Sequence, residues 1–314
     1  MKEICFIVNP ISGGKDKSGI VASVRKHLDA SLYRPAFHFT ERAGEAESFA
    51  HTCKADVVVA VGGDGTVSEV ARGLVGTDKT LGIIPCGSGD GLALHLGLSR
   101  TPAKAVKTLN EATEARIDVA SLNGRPFFCT AGMGLDADVS LDFARSTQRG
   151  LARYIALAWE EWKHHPGDLY SIKSDNGESW SGKAVFVTVA NANQWGNQAR
   201  IAPMASLQDG LLDVIVVRPF STVEIPDLAA RLMTGLAPTS RHVLHFSGSQ
   251  FTLHREHSGA VHCDGPSVGS PSAVKSTGSY GDPTRHVAIG ATVGPVASNA
   301  ALSASGSPSR APDA

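Results

Sequence analysis

Three glycine-bearing turns in the first hundred residues have the composition of a phosphate site: NPISGG (9–14), GGDGT (62–66) and CGSGDG (86–91). Glycine lets the backbone approach a ligand closely, and the free N–H groups at the start of a helix attract an anion. Asp64 adds a carboxylate to this rim, which repels phosphate unless a cation lies between them. Mg²⁺ bridges carboxylate and phosphate oxygens, so the set points to a nucleoside triphosphate and phosphoryl transfer. Two familiar motifs are excluded. Asn9 stands in place of the first glycine of a P-loop and Asp16 in place of its Ser/Thr, and the second turn does not fit GxGxxG.

One such turn is ordinary punctuation, whereas three that follow three strands are not. Residues 4–8, 57–61 and 81–84 are short apolar runs, the second apolar on both faces like a strand inside a parallel sheet. Ile20, Val21, Val24 and Leu28 recur at helical spacing, as do Val67, Val70, Ala71 and Leu74, and then Ala103, Val106 and Leu109. Strands alternating with helices imply βαβ units, and the loops that follow parallel strands share one edge of the sheet, where the three turns would converge.

Strands dominate from about residue 117: 126–130, 170–173, 183–190, 211–217, 243–246, 251–254 and 260–263, with helical inserts around 154–162 and 223–236. The expected organisation is an α/β nucleotide-binding domain over 1–118 and a mostly antiparallel β domain over 119–266. A low-complexity, disordered or aberrant tail is expected over 267–314. Of the last 50 residues 32 are Gly, Ala, Ser or Pro and none is Phe or Trp, a composition that buries too little surface to fold. Only 287–293 has the pattern of an element.

A net charge of −1 over 314 residues gives no electrostatic reason to bind nucleic acid. No apolar stretch has the length of a transmembrane span, and MKEICFIVNP reaches its proline too soon for a signal peptide. Five scattered cysteines without a CxxC pair suit reduced thiols in a cytoplasm and argue against zinc.

The ordered set NPISGG, VGGDGTVSEVARGL (61–74), IIPCGSGDGLALHLGL (83–98), CTAGMGLDADVS (129–140), VANANQWGNQARIAPMASLQDGLLDV (189–214) and VHCDG (261–265) resembles the diacylglycerol kinase catalytic-domain family. This family includes bacterial diacylglycerol kinases, related bacterial lipid kinases and sphingosine kinases, and the likeness runs from residue 4 to about 265. It implies an ATP- and Mg²⁺-dependent lipid kinase with a β-sandwich-like second domain and its active site in the cleft. By position, Asn9, Pro10, Ser12, Gly13, Gly62, Gly63, Asp64, Gly65, Thr66 and Glu69 would hold the nucleotide, with Thr40, Gly87 and Ser88 as further contacts. Asp209 and the carbonyls of Ser206 and Leu211 would hold a structural Mg²⁺, and Asp264 would be the general base.

The resemblance further implies a cytoplasmic protein, possible as a homodimer, that visits a membrane surface to phosphorylate diacylglycerol or a similar lipid alcohol. A sphingoid base is the runner-up acceptor. An NAD kinase-like enzyme and a catalytically impaired nucleotide-binding remnant are the rival classes. Two departures bear on this. Pro266 stands where the family has the Glu of DGE, and Asp90 replaces the usual Asn, adding negative charge beside the phosphates.

Overall fold

The β-branched runs and amphipathic stretches of the first 118 residues fold as their spacing predicts. In the computed structural model, which describes residues 1–14, 17–146, 151–265, 267–278 and 286–291, β1 (Lys2–Val8), α1 (Ser18–His27), β2 (Tyr33–Phe39), α2 (Glu45–Thr52), β3 (Val57–Gly62), α3 (Asp64–Leu74), β4 (Thr80–Pro85), α4 (Gly91–His95), α5 (Pro102–Glu111) and β5 (Thr113–Asp118) follow in turn. Strands β2, β1, β3 and β4 pair in that order, all parallel. Every residue of β3 and β4 is buried, because side chains on both faces of these strands meet helices. Ile7, Val58, Ala60 and Leu81 pack with Val67, Val70 and Leu74 of α3, while Phe6, Val59, Val61 and Ile84 pack on the opposite face with Val24 of α1 and Val106 of α5.

The second half contains β6 (Ala120–Leu122), β7 (Arg125–Phe127), β8 (Thr130–Gly134), α6 (Leu135–Arg145), α7 (Leu151–His164), β9 (Asp168–Ser174), β10 (Ser179–Ala184), β11 (Phe186–Ala190), β12 (Leu212–Val217), α8 (Ile225–Thr234), β13 (Val243–Gly248), β14 (Gln250–Arg255), β15 (Val261–Cys263), β16 (Ser267–Gly269), β17 (Ala273–Thr277) and β18 (His286–Ala291). Two antiparallel sheets, β10-β9-β14-β17-β6-β7 and β13-β12-β11-β8-β15-β16, face each other across a core that includes Phe127, Met133, Tyr170, Val187, Val214, Phe251 and Val261. A second core crosses to the first domain: Phe128, Cys129, Ala192 and Leu207 pack in one cluster with Leu92 and Val67.

Three expectations are corrected. The continuous strand over 126–130 is broken at Phe128 and Cys129, which form a bend between β7 and β8. The run 183–190 is two strands, β10 and β11, which belong to different sheets. The tail expected from 267 is structured over 267–278 and 286–291. Strand β17 pairs with β14 and β6, and β18 lies between β4, to which it is parallel, and β5, to which it is antiparallel. Each of these strands needs only two buried side chains, Val274 with Ser276 and Val287 with Ile289, a signal that averaging the composition over fifty residues conceals. Residues 292–314 and Pro266 lie outside the described residues.

Candidate active site

The three glycine turns meet at the carboxyl edge of the first sheet, and their contacts explain the glycines. Gly13 has φ +64°, and a Cβ there would lie 2.0 Å from the Cys86 carbonyl oxygen. A Cβ on Gly87 would lie 2.6 Å from the Gly63 Cα. The first turn is fastened to the second by side chains: Ser12 Oγ accepts from the Gly63 N–H at 2.8 Å, and Asn9 Nδ2 donates to Thr66 Oγ1 at 3.1 Å. Gly62 is buried at the end of β3, Pro10 is exposed, and Glu69 is half-buried on α3. Thr40 follows β2 with its N–H on the Val8 carbonyl at 2.9 Å. Helix α3 starts at Gly63 without a side-chain cap, and a Cβ on Gly65 would meet nothing within 4 Å. An uncapped helix start over open space is where a phosphate would be held.

Asp64 points inward, which refines its expected role. Its Oδ2 accepts from the Asp90 N–H at 2.8 Å and its Oδ1 from the Gly91 N–H at 2.7 Å, so the carboxylate caps the short helix α4. Burial, then the like charge of Asp90, pushes its pKa from 3.8 to about 6, and Asp264 adds to the rise. Asp64, Asp90 and Asp264 are not grouped at metal-ligand distance among the described residues, so a Mg²⁺–nucleotide would be held at the open start of α3, with Asp64 shaping the turns beneath it.

Asp90 does not leave an uncompensated charge near the phosphates. Its Oδ1 accepts from the Gly87 N–H at 2.8 Å, and Arg100 Nε donates to its Oδ2 at 2.9 Å. Arg100 Nη2 also donates to the carbonyls of Gly87 and Ser88, at 3.0 and 2.8 Å. Buried Lys17, whose Nζ donates to the Ser12 carbonyl at 2.5 Å, attracts Asp90 as well. Neither cation is conspicuous in the sequence, because each acts on a loop that only folding brings near it.

Asp264 is buried and in a left-handed backbone conformation, φ 51°. The Cys129 N–H donates to Oδ1 at 2.8 Å, and the Phe128 N–H is shared between the two oxygens at 3.2 and 3.1 Å. The bend between β7 and β8 turns these two amides onto the carboxylate. Ser68 Oγ of α3 donates to Oδ2 at 2.7 Å and itself accepts from Arg72 Nη1 at 2.7 Å. Burial raises the pKa of Asp264 against the lowering effects of these donors and of Arg72. One residue of the second domain is thereby joined to the helix that opens beneath the second glycine turn.

The raised carboxyls make a pH prediction. Asp64 and Asp264 hold a proton more tightly folded than unfolded, so protonation stabilises the fold. For Asp64 that contribution is complete below the ordinary carboxylate range and is lost as pH rises through about 6; its size is up to about 3 kcal/mol. The thermal midpoint without nucleotide or metal is expected to fall between pH 5 and 7 on scanning calorimetry. A rise over that range would contradict the assignment.

The segment 206–211 lies elsewhere, against β5 and β12. Asp209 Oδ1 accepts from the Leu211 N–H at 3.0 Å, and Ser206 Oγ from the Gln208 N–H at 3.2 Å. Buried Asp118 accepts from the Gly210 N–H at 2.7 Å. Desolvation, then Asp213 and Asp118, raise the pKa of Asp209. Asp209 with the carbonyls of Ser206 and Leu211 is an oxygen-donor set of the kind Mg²⁺ takes, whereas Asp118 and Asp213 are not grouped with it at metal-ligand distance among the described residues. Asp118 and Asp213 were missed by sequence reasoning, although both sit at strand ends beside motif residues. Mg²⁺ at about a hundredfold over its Kd is expected to stabilise the protein by about 2.7 kcal/mol. Asp209→Asn should abolish that increment in thermal melts, and an unchanged increment would remove the loop from consideration.

Among the described residues, no helix is long and apolar enough to cross a membrane. Residues 3–122 match the diacylglycerol kinase catalytic domain, and residues 129–278 match the YegS C-terminal NAD kinase beta sandwich-like domain. The second match extends beyond 265, where the motif likeness ends. The diacylglycerol kinase of Bacillus subtilis is 27% identical over 273 residues, covering 84% of this chain and 90% of that one. That of Staphylococcus saprophyticus is 26% identical over 251 residues, covering 78% and 80%. A crystal structure of a diacylglycerol kinase from Bacillus anthracis superposes with a TM-score of 0.69 at 22% identity over 92% of this chain and 96% of that chain, a likeness of fold. With both domain matches in chain order around one junction, the chain belongs to the diacylglycerol kinase catalytic-domain family.

Proposed function

We propose that the protein is an ATP-dependent lipid kinase that transfers the γ-phosphate to the hydroxyl of diacylglycerol or a similar lipid alcohol, with Asp264 as general base. The observation that carries the reading is the buried Asp264 carboxylate beside α3, held by two backbone amides and Ser68. A lipid alcohol is a poor nucleophile at neutral pH, and a carboxylate of raised pKa within hydrogen-bond reach takes its proton as the bond to phosphorus forms. The Ser68–Arg72 pair and the two amides fix the direction of that carboxylate. The glycine turns let the backbone come close to a triphosphate, and the uncapped start of α3 offsets its negative charge. ATP with Mg²⁺, when bound, supplies the phosphoryl group and the cation that offsets its charge; Asp64 and Asp90 position the turns around it.

Labelled ATP offered with diacylglycerol in mixed micelles, with a sphingoid base and with NAD tests the proposal. Label in the diacylglycerol fraction is expected. Transfer to NAD would overturn the reading, transfer only to the sphingoid base would change the acceptor, and ATP binding without transfer to any acceptor would identify a remnant.

A further inference from the structure

Helix α8 turns half-buried Ile225, Leu228 and Leu232 inward, Leu232 against the core of Ile215, Val217 and Val243, and leaves Met233 exposed; none of its residues is fully buried. Around it Val223 is 85% exposed, Leu236 51% and Met233 50%. An apolar helix lying outside both sheets has a face that the rest of the chain does not cover. Beside it an open pocket of about 340 Å³ is lined by Arg218, Pro219, Arg241 and His242. Glu224 accepts from Arg241 and is 2.7 Å from His242 Nε2. Asp227 pairs with Arg231 at 2.7 Å. Arg200 donates its N–H to the Leu232 carbonyl at 2.9 Å. Of the four arginines on or beside the helix, Arg231 and Arg241 are paired with Asp227 and Glu224, which leaves Arg200 and Arg218 as the excess positive charge. Apolar side chains framed by excess guanidinium groups match a bilayer surface that carries anionic phosphodiester headgroups.

The position of α8 supports the same partner. From Arg200, which is bonded to α8, the chain leads back within four residues to Gly196 and Asn197, which lie on the third glycine turn. The Asn197 N–H donates to the Gly89 carbonyl at 2.9 Å, and Arg100 Nη1 donates to Asn197 Oδ1 at 3.2 Å. A membrane on α8 therefore lies at one short segment's remove from the phosphate rim.

We propose that α8, with Val223, Leu236 and the Arg218–Arg241 pocket, docks the enzyme on an anionic phospholipid bilayer. The choice of a bilayer rests on the lipid-kinase reading, and the test separates the two. The full chain is sedimented, without ATP, with vesicles of phosphatidylcholine alone and of equal parts phosphatidylcholine and phosphatidylglycerol. Binding to the second is expected, and the double variant V223D/M233D should weaken it about tenfold. The double variant R218Q/R241Q should weaken it about twentyfold while leaving the pure phosphatidylcholine result unchanged. Both variants should keep the wild-type thermal midpoint, which shows that they fold, and wild-type transfer to a water-soluble short-chain diacylglycerol. Wild-type protein that fails to sediment, or variants that sediment like wild type, would overturn the proposal. So would a V223D/M233D chain that changes only from dimer to monomer on gel filtration, because the face would then join two copies. Vesicle binding lost in the variants of a protein that phosphorylates no lipid would retain the docking face and refute the kinase reading.

Discussion

Replacing Asp264 by asparagine is expected to lower phosphoryl transfer about a thousandfold while leaving ATP affinity within about twofold. The amide has the same shape, and its oxygen can still accept from the Phe128 and Cys129 N–H groups that hold Oδ1. The fold should therefore survive, while the group able to take a proton is gone. Single-turnover transfer and equilibrium ATP binding, measured on the same preparation, separate the two effects. The pH profile gives a second readout. Because burial raises the pKa of Asp264, the acidic limb of the wild-type rate should lie above the ordinary carboxylate range, with activity rising as the base loses its proton. Transfer that survives Asp264→Asn, or an unshifted acidic limb, would place the base elsewhere.

Gly13→Ala is expected to produce the second large effect, on both stability and nucleotide affinity. A Cβ at this position meets the Cys86 carbonyl oxygen at 2.0 Å, in a backbone conformation with φ +64°. Left-handed strain and the clash together should destabilise the chain by about 3 kcal/mol. Separation of the first turn from the third should weaken ATP binding about tenfold or more. Gly65→Ala is the control. Its Cβ meets nothing within 4 Å and the position is helical, so stability should change by less than about 1 kcal/mol. Loss of ATP affinity in a stable Gly65→Ala protein would mark that open space as the path of the phosphates. Unchanged melting of Gly13→Ala would show that the two turns do not touch in solution.

The convergence of the three turns was legible because each signal is local: a β-branched run, then glycine, then helical spacing. Asp264 was legible only through the family resemblance, since a lone Asp-Gly has the appearance of a hairpin turn. Its three donors, and the Arg72 behind Ser68, were not legible. Ser68 and Arg72 lie on a helix almost two hundred residues earlier, and the amides of Phe128 and Cys129 become available only because a strand is interrupted where the sequence reads as continuous. Arg100 and Lys17 escaped for a related reason. A charged residue in a polar stretch reads as solvated, and only tertiary structure places these two on Asp90. The places of β16, β17 and β18 in three different sheets were concealed by composition. Ala-Val-Lys-Ser-Thr in β17 has the alternation of a strand, but its inward residues are small and the surrounding sequence is rich in turn formers.

The insertion of β18 between β4 and β5 governs the order in which this protein can be completed. On the ribosome, β5 emerges early, yet its partner in the nucleotide sheet emerges only after the whole β sandwich. Until then the nascent first domain carries an open strand edge, which is the surface most prone to pair with another chain. Translation that stops ahead of 286 would release a protein with every glycine turn present and its nucleotide sheet unclosed.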